Sequence, residues 1–108
     1  MDVTFASSGG GQGSVGGVVR SINTVNTSQT AGNTSGTDYI YICSGGINLT
    51  LPDATANTNL YTIKNTSTSS VLVSTTSLQT IDTQSTIILA TQYTSIDLIS
   101  DGSNWDIT

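Results

Sequence analysis

The sequence predicts an all-β fold, a compact antiparallel sandwich or barrel-like domain of about eight or nine short strands. Three observations carry this expectation. From Val18 onward apolar and polar residues alternate with period two, the spacing of a strand with one buried face. Turn-forming clusters of Gly, Ser, Asn and Asp interrupt the pattern about every ten residues, which is typical of sandwiches and barrels. Strong helix formers are scarce, with no Glu, one Met and only two basic residues, while Ser, Thr and Asn fill roughly two-fifths of the chain.

The elements follow in order. Residues 1–17 (MDVTFASSGGGQGSVGG) read as a flexible tether or an oligomer-contacting arm, because their Gly/Ser run has too little apolar area to offset its ordering entropy. Residues 18–108 form the domain. VVRSINTV, Val18 to Val25, is the first strand, and the polar stretch Asn26 to Gly36 is a loop. In the second strand, Thr37 to Cys43, Asp38, Ile40 and Ile42 share one face and Tyr39, Tyr41 and Cys43 the other. Ile47, Leu49 and Leu51 line one face of the next strand, which ends at Pro52 because proline has no N–H for the ladder. A loop over Asp53 to Asn59 precedes LYTIK (Leu60 to Lys64), and a turn over Asn65 to Ser69 precedes a strand marked by Val71 and Val73. Then come a short strand at Thr80 to Asp82, TIILA at Thr86 to Ala90, and Tyr93 to Ser100. Asp101-Gly102-Ser103-Asn104 is a hairpin signal, and Trp105 to Ile107 closes the chain. Apolar residues of both parities in TIILA and SIDLIS predict burial on two faces, one in the core and one at a subunit interface.

Charge and composition narrow the function. Only 8 % of residues are charged, against about 25 % in a typical domain, so solubility rests on hydroxyls and amides. A net charge of −5 with two isolated cations, Arg20 and Lys64, argues against nucleic acid, whose affinity comes from neutralising successive phosphates. It argues equally against a polybasic membrane anchor, and no apolar run nears the ~18 residues of a membrane helix. No basic region followed by an apolar stretch marks a signal peptide.

The chemistry-bearing residues are few. Cys43 is the sole cysteine, which excludes an intrachain disulfide, and it reads as a small buried hydrophobe. With no His and no Asp-x-Asp-x-Asp-Gly loop, neither a zinc nor an EF-hand calcium ligand set is present, and no cofactor is expected. The Asp residues show no local pairing of the kind glycoside hydrolysis needs, so no enzyme activity is expected. The glycine run lacks the lysine and following helix of a phosphate-binding loop. Four matches to the N-glycosylation pattern, at Asn26, Asn33, Asn48 and Asn65, are expected by chance in so Ser/Thr-rich a chain. Tyr39, Tyr41, Tyr61, Tyr93 and Trp105 are candidate glycan contacts, since sugars stack on aromatic faces; the same residues can equally supply bulk to a small-residue core.

The order of motifs from Gly36 to Ile107 adds a resemblance. A Tyr-rich strand, Leu-Pro with a polar loop, YTIKN, a Ser/Thr turn, a Val strand, QTID, a further strand and a final SDGSNW together resemble a β-rich module at the ends of phage and viral tail-fibre and head-fibre proteins. One departure is Leu60, where similar sequences often carry a basic residue. The resemblance implies a non-catalytic structural domain on a virion surface or otherwise extracellular, typically a homotrimer, contributing to host attachment or decoration. Its partners would be other copies of the chain, host-surface glycans or other virion proteins. Two alternatives stand beside it: a monomeric carbohydrate-binding or adhesin module, and a filament subunit whose Val3 and Phe5 pass as a strand to a neighbour.

Overall fold

The computed structural model describes residues 19–108. The expected arm at residues 1–17, and Val18 at the start of the first expected strand, lie outside them. The described residues form nine strands and no helix: β1 (Val19–Val25), β2 (Gln29–Thr30), β3 (Thr37–Cys43), β4 (Asn48–Thr50), β5 (Tyr61–Asn65), β6 (Val71–Ser74), β7 (Thr86–Leu89), β8 (Ser95–Ser100) and β9 (Trp105–Ile107). They make two sheets, ordered β1-β3-β5-β8-β9 and β2-β4-β6-β7. The all-β expectation is met, and of the sandwich and barrel forms the two sheets make the sandwich.

The direction of the strands differs from the uniformly antiparallel expectation. β1, β3 and β5 run parallel, as do β2, β4 and β6, so four of the seven strand pairings are parallel. Parallel neighbours need a crossover, usually a helix. Here the opposite sheet supplies it: the chain passes from β1 to β2 and back to β3, then to β4, β5 and β6. Each circuit deposits one strand in each sheet, which makes the first half of the fold a three-turn solenoid whose turns bury their inner faces on one another. Alternation within a strand reveals which residues point inward, but it is identical for parallel and antiparallel neighbours.

After β6 the winding stops. β7 returns antiparallel on β6, β8 lies antiparallel on β5, and β9 folds back on β8. The last hairpin has the expected cause. Gly102 takes a φ of 102°, and the Asp101 carboxylate accepts the N–H groups of Ser103 (3.0 Å) and Asn104 (2.8 Å). Thr80–Asp82, expected as a strand, makes only isolated bridges, yet it closes the outer side of β9. The Trp105 N–H donates to Thr80 O (2.8 Å) and the Asp82 N–H to Trp105 O (3.0 Å). Asp82 and Thr83 both adopt positive φ in a two-residue turn between Ile81 and Gln84, the backbone that matches the strand twist. β2 falls inside the stretch expected to be loop; it is two residues long, too short for a periodic signal.

The core lies between the sheets. The inward residues Tyr39, Tyr41 and Cys43 of β3 stand in register beside Tyr61, Ile63 and Asn65 of β5. From the second sheet Leu49, Val71, Val73 and Leu89 pack against them. Asn65 is the one fully buried polar residue in this set. Its side-chain amide donates to Ser69 O (2.8 Å) and Leu89 O (2.9 Å), and its oxygen accepts the Ser67 N–H (2.8 Å). One side chain thus ties the end of β5 to β7 in the opposite sheet and shapes the Asn65–Ser69 turn. Asn65→Ala would strand these groups away from water, and a loss of about 2–3 kcal/mol in urea unfolding is expected. A loss below about 0.5 kcal/mol would show that the sheets are not joined through this residue.

Candidate functional site

Three inward tyrosines organise a hydrogen-bonded region at the edge of the core. The rings of Tyr39 and Tyr61 are stacked at 5.3 Å and 12°, the consequence of their register pairing on adjacent parallel strands. Tyr41 continues the stack from Tyr39 at 6.2 Å, and Trp105 meets Tyr61 edge-on at 5.1 Å and 89°. Offset or edge-on pairs of this kind contribute about 0.5–1.5 kcal/mol beyond burial. All four residues are buried, Tyr61 and Trp105 completely. Among the described residues the indole Nε1 of Trp105 has no hydrogen-bond partner.

The tyrosine hydroxyls all reach one segment, the loop from Ala31 to Gly36 that leads from β2 to β3. Tyr41 Oη accepts the Gly32 N–H (2.8 Å), Tyr39 Oη accepts the Thr34 N–H (2.9 Å), and Tyr61 Oη donates to Gly32 O (2.6 Å). Gly32 is required here by close approach: a Cβ at that position would sit 2.5 Å from the Tyr39 ring. The bonds to Thr34 also hold the Tyr39 hydroxyl below the usual tyrosine range, whereas burial pushes Tyr41 up.

A second loop, Asp53 to Asn59, is fastened to the first. Asn59 is buried; its Oδ1 accepts the Thr37 N–H (3.1 Å) and its Nδ2 donates to Thr34 O (2.8 Å). Asn57 accepts the Asn59 N–H (2.9 Å) and donates to Tyr61 Oη (2.9 Å). Between the loops lies a polar cleft of about 210 Å³ lined by Asn33, Ser35, Asp53, Thr55, Asn57 and Asn59, among others. Asp53 is the one carboxylate among the described residues that line it. The Thr55 N–H (2.8 Å) and then the Gln79 side-chain amide (2.7 Å) hold it below the ordinary aspartate value. A carboxylate kept ionised in this way accepts hydrogen bonds well, whereas a general acid needs its pKa raised. The cleft is therefore chemically suited to bonding hydroxyls or amides of a small polar ligand.

Comparison with family models, with curated proteins and with solved structures returns no match.

The expected glycan contacts divide. Tyr39, Tyr41, Tyr61 and Trp105 are corrected to core residues: their ring faces are covered by one another and by the second sheet, so no sugar can stack on them in this fold. Tyr93 alone is exposed, at 65 %, in a turn where it adopts a φ of 69°, with Lys64 Nζ 6.0 Å from its ring centre. Cys43 is buried, as expected, and burial raises its thiol pKa. Among the described residues no three His, Cys, Asp or Glu side chains converge on a metal position. Sequence reasoning missed the cleft because its residues come from two loops about twenty positions apart. The Asn-rich stretch ATANTN was the available signal, and it reads as an ordinary loop until the tyrosine hydroxyls bring the first loop beside it.

Two carboxylates lowered by backbone N–H bonds set a pH dependence. Asp53 and Asp101 are both lowered by accepted backbone N–H bonds, from Thr55 and from Asn104 respectively. A carboxylate with a folded pKa below its unfolded value of about 3.9 stabilises the fold fully above that value. The contribution is lost as pH falls through the lower folded pKa. Thermal unfolding should therefore be level above about pH 5 and shift to lower temperature below about pH 4, less steeply in Asp101→Asn. A melting temperature that rises on acidification would contradict these assignments.

Proposed function

We propose that this protein is a non-catalytic structural module of a virion or similar particle surface, a fibre or decoration domain that works as a homotrimer. The single observation that carries the reading is an apolar area on the outer face of the five-stranded sheet. Ile22 of β1 is 64 % exposed and lies in register beside Ile40 of β3, with Ile42 two residues further along the same face. Across the sheet the same rows become polar. Ile22 and Ile40 lead to Thr62 and Asp97, which bond to each other at 2.7 Å, and Ile42 leads to Lys64 and Ser95.

An apolar area bordered by hydroxyls and a carboxylate is the pattern of a protein contact surface with a polar rim. In a chain so poor in charge, a second copy offers the same small apolar and hydroxyl-rich surface. The low charge, the hydroxyl-rich rigid strands and the resemblance of the Gly36–Ile107 motif order to fibre-end modules support the same reading. Under this proposal the core is inert scaffold and the working surfaces are the outer faces and loop tips, including the exposed Leu78.

The polar cleft favours a second reading, a monomeric binding module that takes a hydroxylated ligand such as a glycan between the two latched loops.

Light scattering behind size exclusion separates the two. The wild type is expected at three times the chain mass at micromolar concentration. Ile22→Lys, which places a charge on an exposed site without touching the core, is expected to shift it to monomer with an unchanged circular dichroism spectrum. A wild-type monomer would overturn the trimer and leave the cleft as the surface to test with glycans.

A further inference from the structure

The polar cleft between the Ala31–Gly36 and Asp53–Asn59 loops is built around one fixed carboxylate. Both hydrogen bonds that hold Asp53 end on a single oxygen: Oδ1 accepts the Thr55 N–H (2.8 Å) and the Gln79 side-chain amide (2.7 Å). Gln79 is itself buried, and its Oε1 accepts the Ala54 N–H (2.9 Å). One buried amide thus grips both the carboxylate and the backbone beside it, so the group is oriented before a ligand arrives. An ionised carboxylate has about four lone-pair sites; the two bonds account for those of Oδ1 and leave those of Oδ2.

The other polar groups divide by task. Asn57 and Asn59 spend both ends of their amides on the latch between the loops. Asn33, Ser35, Thr55 and Thr58 are exposed at the rim, where each amide or hydroxyl can both donate and accept. No lysine or arginine lines the cleft among the described residues. The two basic side chains of the chain, Arg20 in β1 and Lys64 in β5, take the parity of the outer face of the five-stranded sheet. The field at the cleft is therefore that of one negative charge, in a chain whose net charge is −5.

We propose that the cleft is a selective site for one neutral sugar residue, held on Asp53 Oδ2 by a pair of adjacent hydroxyls, and that it rejects the acidic form of the same sugar. This rests on the second reading above, that the cleft takes a hydroxylated ligand, and it names which hydroxylated ligands qualify. Size limits the choice first. At about 210 Å³ the cleft has room for a single monosaccharide ring, and it lies below the ~300 Å³ at which sites for drug-sized molecules begin. Charge limits it next. A hydroxyl that donates to an ionised carboxylate makes a charge-assisted bond, roughly twice as strong as a neutral one. A ligand carboxylate in the same place meets like charge with no cation to offset it, the repulsive element from which specificity is built. None of the described lining residues is aromatic, so no ring stacking shares the affinity with these polar bonds.

Titrations of the ¹⁵N-labelled full chain, followed by NMR, read the site directly. The probes are the methyl glycosides of glucose, galactose and mannose and those of the three corresponding uronic acids, which differ only by a carboxylate at C6. At pH 7 at least one neutral glycoside should shift the amides of Ser35, Thr55 and Asn57 with saturation. Its uronic acid should bind more weakly by about tenfold or more. Asp53→Asn keeps Oδ1 as the acceptor for Thr55 and Gln79 and replaces only Oδ2, by an NH₂ donor. It should weaken the neutral sugar about tenfold and erase the preference over the acid, with the β3 and β5 amides unmoved. A uronic acid that binds as tightly as its neutral partner, or an Asp53→Asn protein that keeps the preference, would overturn the selectivity and leave the second reading standing. If none of the six compounds moves the loop amides, the second reading falls and the selectivity falls with it.

Discussion

The in-register stacking of Tyr39 on Tyr61 is the constraint on which most of the molecule depends. It requires β3 and β5 to be parallel neighbours with no slip, because a one-residue shift of either strand would send its ring to the outer face and break the stack. Parallel neighbours in turn require the chain to visit the other sheet between them, which creates β4 and the loops on either side of it. The hydroxyls at the ends of the rings then need partners, since a buried phenol left unpaired is costly. The backbone of Gly32 and Thr34 supplies them. The path of the Ala31–Gly36 loop, the absence of a side chain at Gly32 and the closeness of the Asp53–Asn59 loop all follow from the placement of three rings. The latched cleft is a by-product of core packing, available to a ligand because its rim is polar.

The ends of the stack are treated differently. On one side Trp105 meets Tyr61 edge-on, and the antiparallel strands β7, β8 and β9 turn the chain back and close the core. On the other side the inward positions become Ser21 and Asn23, where Asn23 Nδ2 donates to Ser21 Oγ (3.1 Å). Solenoids need terminal units that do not present a bare apolar face. Small polar residues meet that need.

Much of this architecture could be read in the sequence, but unevenly. Thr37–Cys43 and Trp105–Ile107 are strands over their full expected lengths, because clean alternation and a strong turn signal bound them. The division of that strand into an Asp38, Ile40 and Ile42 face and a Tyr39, Tyr41 and Cys43 face was equally clear, although not which of the two turns inward. Strand direction was not, since period two is the same in either direction and the informative quantity, the residue opposite each tyrosine, is a tertiary fact. The aromatic residues were ambiguous for the same reason. Tyr39 and Tyr61 carry a polar tip suited to a glycan site, and only the backbone of a distant loop shows where those tips are spent. Tyr93, in contrast, lies in a turn at positive φ with its ring in solvent, a conformation its sequence context of TQYTS does not announce.

The claim that organises this account is the parallel winding of β1, β3 and β5 held by the tyrosine stack. Through-hydrogen-bond scalar couplings on isotope-labelled protein test it most directly. The account predicts couplings from the Tyr39 amide to the Leu60 carbonyl and from the Ser44 amide to the Val25 carbonyl, bonds of 2.9 Å in each case. Couplings that instead join β3 antiparallel to β1 or β5 would contradict the winding, and with it the tyrosine stack and the latched loops.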